Sequence, residues 1–194
     1  RYAEIPNVGL YLEQATKYVC EYLEPLGEFS LTPSMISNYV KKGLIANPVK
    51  KQYGRDQIAY LFFIAVAKSV LSLDALTGFI QLQQQTYTLP KAYNYFCEEF
   101  ENLLQFTFEL KDTMEIVGED TTDEKRLLFS CIVAVTQKIY LERCLEAISQ
   151  EEAFLFLNLP QRISISHDSV MIWLMLKKSA KNMMQLYAEA IRYG

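Results

Sequence analysis

Thr32-Pro-Ser-Met-Ile-Ser-Asn-Tyr-Val-Lys-Lys-Gly-Leu-Ile-Ala-Asn-Pro-Val-Lys-Lys-Gln-Tyr53 is the stretch that decides the fold. Thr32 is a good helix N-cap, because its hydroxyl can accept from a first-turn N–H. Pro33 then occupies the first helical position, where a missing N–H removes no bond. Gly43 can adopt the left-handed conformation that ends a helix. The spacing therefore predicts a short helix, Pro33 to Lys42. Ile36 and Val40, with Leu44 beyond, point toward a core, while Ser34, Ser37, Asn38 and Lys41 recur at helical spacing on the opposite side. That outer face is small, polar and basic. Pro48 and the β-compatible Val49 and Tyr53 then predict a small hairpin or extended loop over Ile45 to Tyr53, carrying Lys50 and Lys51.

Working outward, Leu12, Ala15, Val19, Tyr22 and Leu23 predict an amphipathic helix over Leu10 to Leu23, stopped by Pro25 and Gly27. Gly54 and Arg55 open a helix from Asp56 to Val70 that buries Ile58, Leu61, Phe62, Ala65 and Val66. Ser72 with Asp74 caps the next, running to about Gln83. The polar, charge-free run Gln81 to Thr88, followed by Pro90, places a domain boundary near residue 86, dividing the chain into 1–85 and 86–194. Beyond it Tyr93, Phe96, Cys97, Phe100, Leu103 and Leu104 form a stripe on a helix from Pro90 to about Leu110, with Glu98, Glu99, Glu101 and Glu109 on its wet side. Thr121 and Glu124 make a capping box for a helix reaching Ile148, Ser149 with Glu152 starts a short one, and Arg162 to Ser166 reads as extended or irregular. Ser166 and Asp168 begin a last helix, with Val170, Trp173, Leu174 and Met184 on one face. The fold class is mainly α.

The 194 residues are 51% apolar with mean hydropathy +0.02, enough to bury a sizeable core. The longest stretch free of charge, Ala75 to Pro90, has 16 residues and includes four Gln and three Thr. It falls short of the roughly 18 apolar residues of a membrane span. With no basic start followed by an apolar run, a cytoplasmic protein without a signal peptide is expected. Cys20, Cys97, Cys131 and Cys144 stand far apart with no C-x-x-C, as reduced buried thiols do. The single histidine, His167, limits any His-based metal site or triad. The seven glycines form neither G-x-G-x-x-G nor a P-loop, and G-x-S-x-G is absent. No motif argues for an enzyme, and no cofactor is expected.

The net charge of -4 hides an asymmetry. Residues 1–85 carry net +1 and residues 86–194 net -5, and between Thr32 and Lys68 six cations, Lys41, Lys42, Lys50, Lys51, Arg55 and Lys68, face Asp56 alone. A compact positive surface on an acidic protein suits a polyanion, since neutralising phosphates releases condensed counterions. A helix with short polar side chains can enter a major groove of about 12 Å, offering Asn and Lys to base edges and phosphates. Lys50 and Lys51 would then position the protein on the adjacent backbone. The other reading of the same charges is a solvated surface with counter-charges nearby.

Thr32 through Ile45, the following Pro48, the basic cluster, Tyr53 and Ser72-Leu-Asp-Ala-Leu76 resemble the winged helix-turn-helix domain of MerR-type regulators. More closely, Leu10-Tyr-Leu-Glu-Gln-Ala-Thr16 through Met35-Ile-Ser-Asn-Tyr39 and Tyr53-Gly-Arg-Asp-Gln-Ile-Ala-Tyr-Leu61 resemble an uncharacterised bacterial family with a MerR-like N-terminal domain. The resemblance covers about residues 10 to 80. It implies a winged helix-turn-helix in which Pro33 to Lys42 is the recognition helix, Lys51 stands for the wing arginine that contacts phosphate, and Tyr39 for the second tyrosine of an Arg-Tyr-Tyr signature. The arginine and first tyrosine of that signature are Ser37 and Asn38 here, and the wing is shorter by several residues. Both changes remove phosphate contacts.

The candidate DNA-contacting set is thus Ser34, Ser37, Asn38, Tyr39, Lys41, Lys42, Lys50, Lys51, Tyr53 and Arg55. The function expected is that of a transcriptional regulator binding double-stranded DNA as a homodimer, because one short helix makes too few base contacts to select a site alone. The second half would dimerise and accept a small apolar effector, or none. Phe100, Phe106, Phe108, Phe129, Phe154, Phe156 and Trp173 are candidate pocket residues, though such stripes are more often packing. Met171, Met175, Met183 and Met184 read the same way, as core or as a subunit contact. The alternative function is a helix-turn-helix scaffold reused as a protein-interaction module without DNA binding.

Overall fold

A computed structural model describes residues 1–27, 29–108, 110–113 and 122–157, with side chains to residue 147. The chain is mainly helical. Six α-helices, α1 (Leu12–Leu23), α2 (Pro33–Lys41), α3 (Arg55–Ala67), α4 (Leu73–Thr86), α5 (Leu89–Thr107) and α6 (Asp123–Leu157), accompany two short strands, β1 (Leu10–Tyr11) and β2 (Gln52–Tyr53), among the described residues. The strands pair antiparallel, Leu10 opposite Tyr53 and Tyr11 opposite Gln52. A further bridge joins Val49 to Gln52, so Lys50 and Lys51 form a two-residue hairpin tip. Gly9 lies where a Cβ would come within 2.7 Å of the Gln52 Cβ, so a glycine there lets β1 approach β2.

α3 is the central element. Ile58, Leu61, Ile64, Ala65 and Ala67 are almost wholly buried, and Phe62 and Phe63 nearly so, because α1, α5, α6 and β2 all contact this helix. A helix surrounded on all sides is apolar on all sides, which explains why its buried positions exceed the single stripe expected from spacing. Tyr18 and Tyr22 of α1 meet Phe62 edge-on, with ring centroids 5.8 and 6.1 Å away, and Phe63 meets Phe96 of α5 at 5.5 Å. Tyr22 is expected on the buried stripe of α1 but is 65% exposed, its ring perpendicular to that of Phe62 at the rim of this cluster.

The buried cluster runs from Ile5 to Ile139 and includes residues of every helix. The connection between α4 and α5 is short, and α6 packs along α5 while touching α3 and α4. α5 thus presents two faces to neighbours, Phe96 toward α3 and another toward α6. Glu99, expected on the wet side of α5, is 3% exposed for this reason, while Glu98 and Glu101 are exposed as expected.

α6 continues through Ser149, where a new short helix was expected. No proline or glycine interrupts 123–157, so Ser149 reads as an interior helical residue rather than a cap. At its start Thr122 accepts from the Lys125 N–H at 3.3 Å and acts as the cap. Thr121, Glu109, the segment from Arg162 to Ser166 and the expected last helix, with His167, Trp173 and the four methionines from Met171 to Met184, lie outside the described residues, as do the side chains of Phe154 and Phe156. None of the described helices is long and apolar enough to cross a membrane.

Candidate nucleic-acid interface

Local chemistry places α2 as the sequence dictates. Thr32 Oγ1 accepts from Met35 N at 3.2 Å, and Pro33 fills the first turn. At the other end Gly43 has φ +75, with its N–H bonded to Val40 O and the Leu44 N–H bonded back to Tyr39 O at 2.9 Å. This is a Schellman closure, and Leu44, buried to 2%, supplies the apolar contact that accompanies it. Ile36 is fully buried beneath the helix, and Phe29, Leu31 and Ile45 enclose its ends.

The outward side carries Ser34, Ser37, Asn38, Lys41 and Lys42, all exposed. Ser37 Oγ donates to Pro33 O at 2.9 Å, leaving its lone pairs directed outward. After the Schellman turn the chain passes through buried Leu44 and Ile45 into the hairpin. Val49 and Gln52 exchange two backbone bonds, 3.0 and 2.9 Å, across the tip. Lys50 and Lys51 sit between them at φ +50 and +66, the left-handed pair of a type I′ turn. Both side chains are exposed, as is Val49. Among the described residues no carboxylate pairs with Lys41, Lys42, Lys50 or Lys51.

Three members of the expected set are placed differently. Tyr39 and Tyr53 are 5% and 4% exposed, and burial pushes both phenols up from their ordinary pKa. They are core residues, Tyr39 under α2 and Tyr53 at the β1–β2 pair, because large aromatic rings fill the space that short strands leave uncovered. Arg55 is half-buried and turned inward. Its Nε donates to Ile5 O at 2.8 Å and its guanidinium lies 5.5 Å from the Tyr2 ring, so it tethers the N-terminal segment. Tyr2 in turn hydrogen-bonds Asp56. Lys68, the sixth cation of the basic window, donates to Ser30 O, and burial lowers its pKa. Four projecting lysines remain.

The connection from α1 to α2, residues 24–32, is longer than the three or four residues of a compact helix-turn-helix turn. It holds a 3-10 turn, Glu24–Leu26, and Cys20 Sγ accepts from Leu31 N at 3.3 Å, closing the loop against α1.

Residues 1–96 match the model of a family described as a domain of unknown function, DUF1836. The matched region contains β1, α1, α2, the hairpin, α3, α4 and the first part of α5. No curated protein and no solved structure matches the chain.

A cavity between α4, α5 and α6 is lined by Phe79, Tyr87, Tyr95 and Leu128, while Phe100 and Phe106 are buried in the core, the packing role such stripes more often have. Tyr87 lies at the end of α4 and Phe79 and Tyr95 in mid-helix, none of them on a stripe that the spacing marks, so no sequence signal singles them out. Among the described residues no three His, Cys, Asp or Glu side chains converge on a point.

Proposed function

We propose that this protein is a transcriptional regulator that binds duplex DNA as a homodimer, with α2 in a major groove and the Lys50–Lys51 tip on the neighbouring sugar–phosphate backbone. The observation that carries the reading is the tip itself. A two-residue turn with both residues left-handed ordinarily takes Asn-Gly, and a non-glycine residue held there costs on the order of 1–3 kcal/mol. Two adjacent lysines occupy it, at φ +50 and +66, and neither has a carboxylate partner among the described residues. Retaining charge at a strained, projecting position suits contact with an anionic partner.

The α2 face supports the same reading. Ser34, Ser37 and Asn38 are short, so the helix backbone can approach base edges, and Lys41 and Lys42 add charge near its C-terminal end. The MerR-like resemblance of residues 10 to 80 agrees with the order strand, helix, capped helix, hairpin, helix. The long 24–32 connection and the missing arginine of the family signature make this a variant of that design.

Pairing of two copies through the second half would present two such helices to two half-sites. Leu127, Ala134 and Leu141 recur at seven-residue intervals on α6 and are exposed, the two leucines at 50% and 55%. Gel filtration with light scattering at tens of micromolar is expected to give twice the chain mass, and a monomer contradicts the homodimer.

The DNA reading is tested by capturing fragments from sheared genomic DNA on the immobilised protein. Wild type is expected to enrich a defined set, and Lys50→Glu with Lys51→Glu to lose it. Asn38→Ala is expected to weaken the enriched fragments more than random ones, by about tenfold. Equal, poor capture by wild type and the double variant would favour a protein-interaction module.

A further inference from the structure

The hairpin has two faces, and cross-strand pairing decides which residues share each. Paired residues of an antiparallel ladder point to the same side. Leu10 opposite Tyr53 forms the inner side, with Tyr53 4% exposed in the core. Gln52 faces Tyr11 on one flank and Val49 on the other, so Tyr11, Gln52 and Val49 make a row on the outer side. A Cβ at Gly9 would come within 2.8 Å of Gln52 Oε1, so the glycine keeps that side flat.

The outer row is apolar at two of its three positions, where a solvated sheet face is ordinarily polar. Val49 is 73% and Tyr11 54% exposed, and neither contributes to the buried cluster. Their backbone positions are fixed independently of their side chains: Val49 and Gln52 exchange two main-chain bonds, and the Tyr11 N–H donates to Gln14 Oε1 at 2.9 Å. Lys50 and Lys51 stand at the end of the row and face no carboxylate among the described residues. The row crosses two inter-strand spacings, about 10 Å. A ring that buries at most about 250 Å² and one valine fall well short of the roughly 1,000 Å² that a specific protein interface requires. A nucleic-acid strand suits the row better, because its wall alternates anionic phosphates with the C–H faces of sugars.

We infer that the outer face of the hairpin rests on one strand of the duplex, with Val49 and Tyr11 packed on deoxyribose rings beside the phosphates that Lys50 and Lys51 contact. This inference rests on the DNA reading above and adds a contact of different physics. The lysines act through charge, so their share of the affinity declines with salt. Apolar packing on a sugar displaces water without releasing a counterion, so its share is indifferent to moderate salt. Sugar contacts carry no base information, so the row strengthens binding to any duplex by the same factor while α2 selects among sequences.

The test is the salt dependence of duplex affinity for the full chain, measured by fluorescence anisotropy on a random-sequence duplex and on an enriched genomic one. Val49→Ser with Tyr11→Ser is expected to bind about tenfold more weakly at every salt concentration, by the same factor on both duplexes and with the log–log slope of wild type. Val49→Ile with Tyr11→Phe, which keeps the apolar surface, should bind as wild type does. Circular dichroism and thermal melting of the serine variant should match wild type, since both side chains are exposed. Hydroxyl-radical cleavage of the enriched duplex reads sugar exposure directly: at saturation the serine variant should lose one patch of protected sugars and keep the rest. A steep wild-type slope together with unchanged affinity or an unchanged cleavage pattern in the serine variant overturns this inference and leaves the DNA reading standing. So does a serine variant whose slope falls, because the loss then lies in the lysines, or one that keeps its DNA affinity but changes mass in light scattering, which makes the face a subunit contact. A wild-type slope near zero removes the DNA reading, and this contact with it.

Discussion

Glu99 holds a carboxyl 3% exposed at the α5–α6 contact, with Oε2 lacking a hydrogen-bond partner among the described residues. Burial pushes its pKa up to about 7, opposed in part by Lys125. The unfolded chain releases this proton near pH 4.5, so between about 4.5 and 7 the native state binds a proton that the unfolded state lacks. Stability then falls as pH rises through that window and levels off above it. Glu99→Gln removes the slope, and urea unfolding should show it more stable than wild type at pH 8 by on the order of 2 kcal/mol, with little difference at pH 4.5. An unchanged pH dependence contradicts the assignment. The Lys50–Lys51 tip gives a second residue-level prediction. Replacement by Asn-Gly suits both positive φ values and should stabilise the fold by about 1–2 kcal/mol, raising the melting temperature by a few degrees, while lowering DNA affinity at least tenfold. Loss of stability, or retained affinity, contradicts the reading of that turn.

The shortest helix was the most legible element. α2 has a hydroxyl cap, a first-turn proline and a closing glycine within its own sequence, so its limits depend on local chemistry that no neighbour alters. Gly43→Ala tests this: a Cβ there would meet nothing within 4 Å, so the cost arises from φ +75 alone. A loss of about 1 kcal/mol is expected in thermal melts, and no change would show that the closure is dispensable. Elsewhere the reading failed where more than one neighbour packs on a helix. The α3 and α5 stripes identified one buried face each, Phe100 among them, yet tertiary contacts bury a second face, which conceals Glu99. Tyr39 and Tyr53 were read from family resemblance as contact residues, but a two-residue strand pair and a short helix need large rings beneath them, and that packing demand has no local signature.

Across the whole molecule, the family match ends at residue 96, inside α5, while the buried cluster continues to Ile139 of α6. The cavity sits in this region of continuity, walled by α4, α5 and α6. Lys41, Lys42, Lys50 and Lys51 face no compensating carboxylate among the described residues, on a chain of net charge -4. Such a surface contributes to association through counterion release, and each phosphate neutralised adds about 0.9 to the slope of log affinity against log salt. The measurement that tests the account most directly is that slope for the full chain on an enriched genomic duplex, compared between wild type and Lys50→Gln with Lys51→Gln. In a homodimer the variant loses four lysines, so the slope should fall by about 3 to 4, with weaker binding at every salt concentration. A wild-type slope near zero, or one that the substitutions leave unchanged, would contradict DNA binding through the hairpin tip.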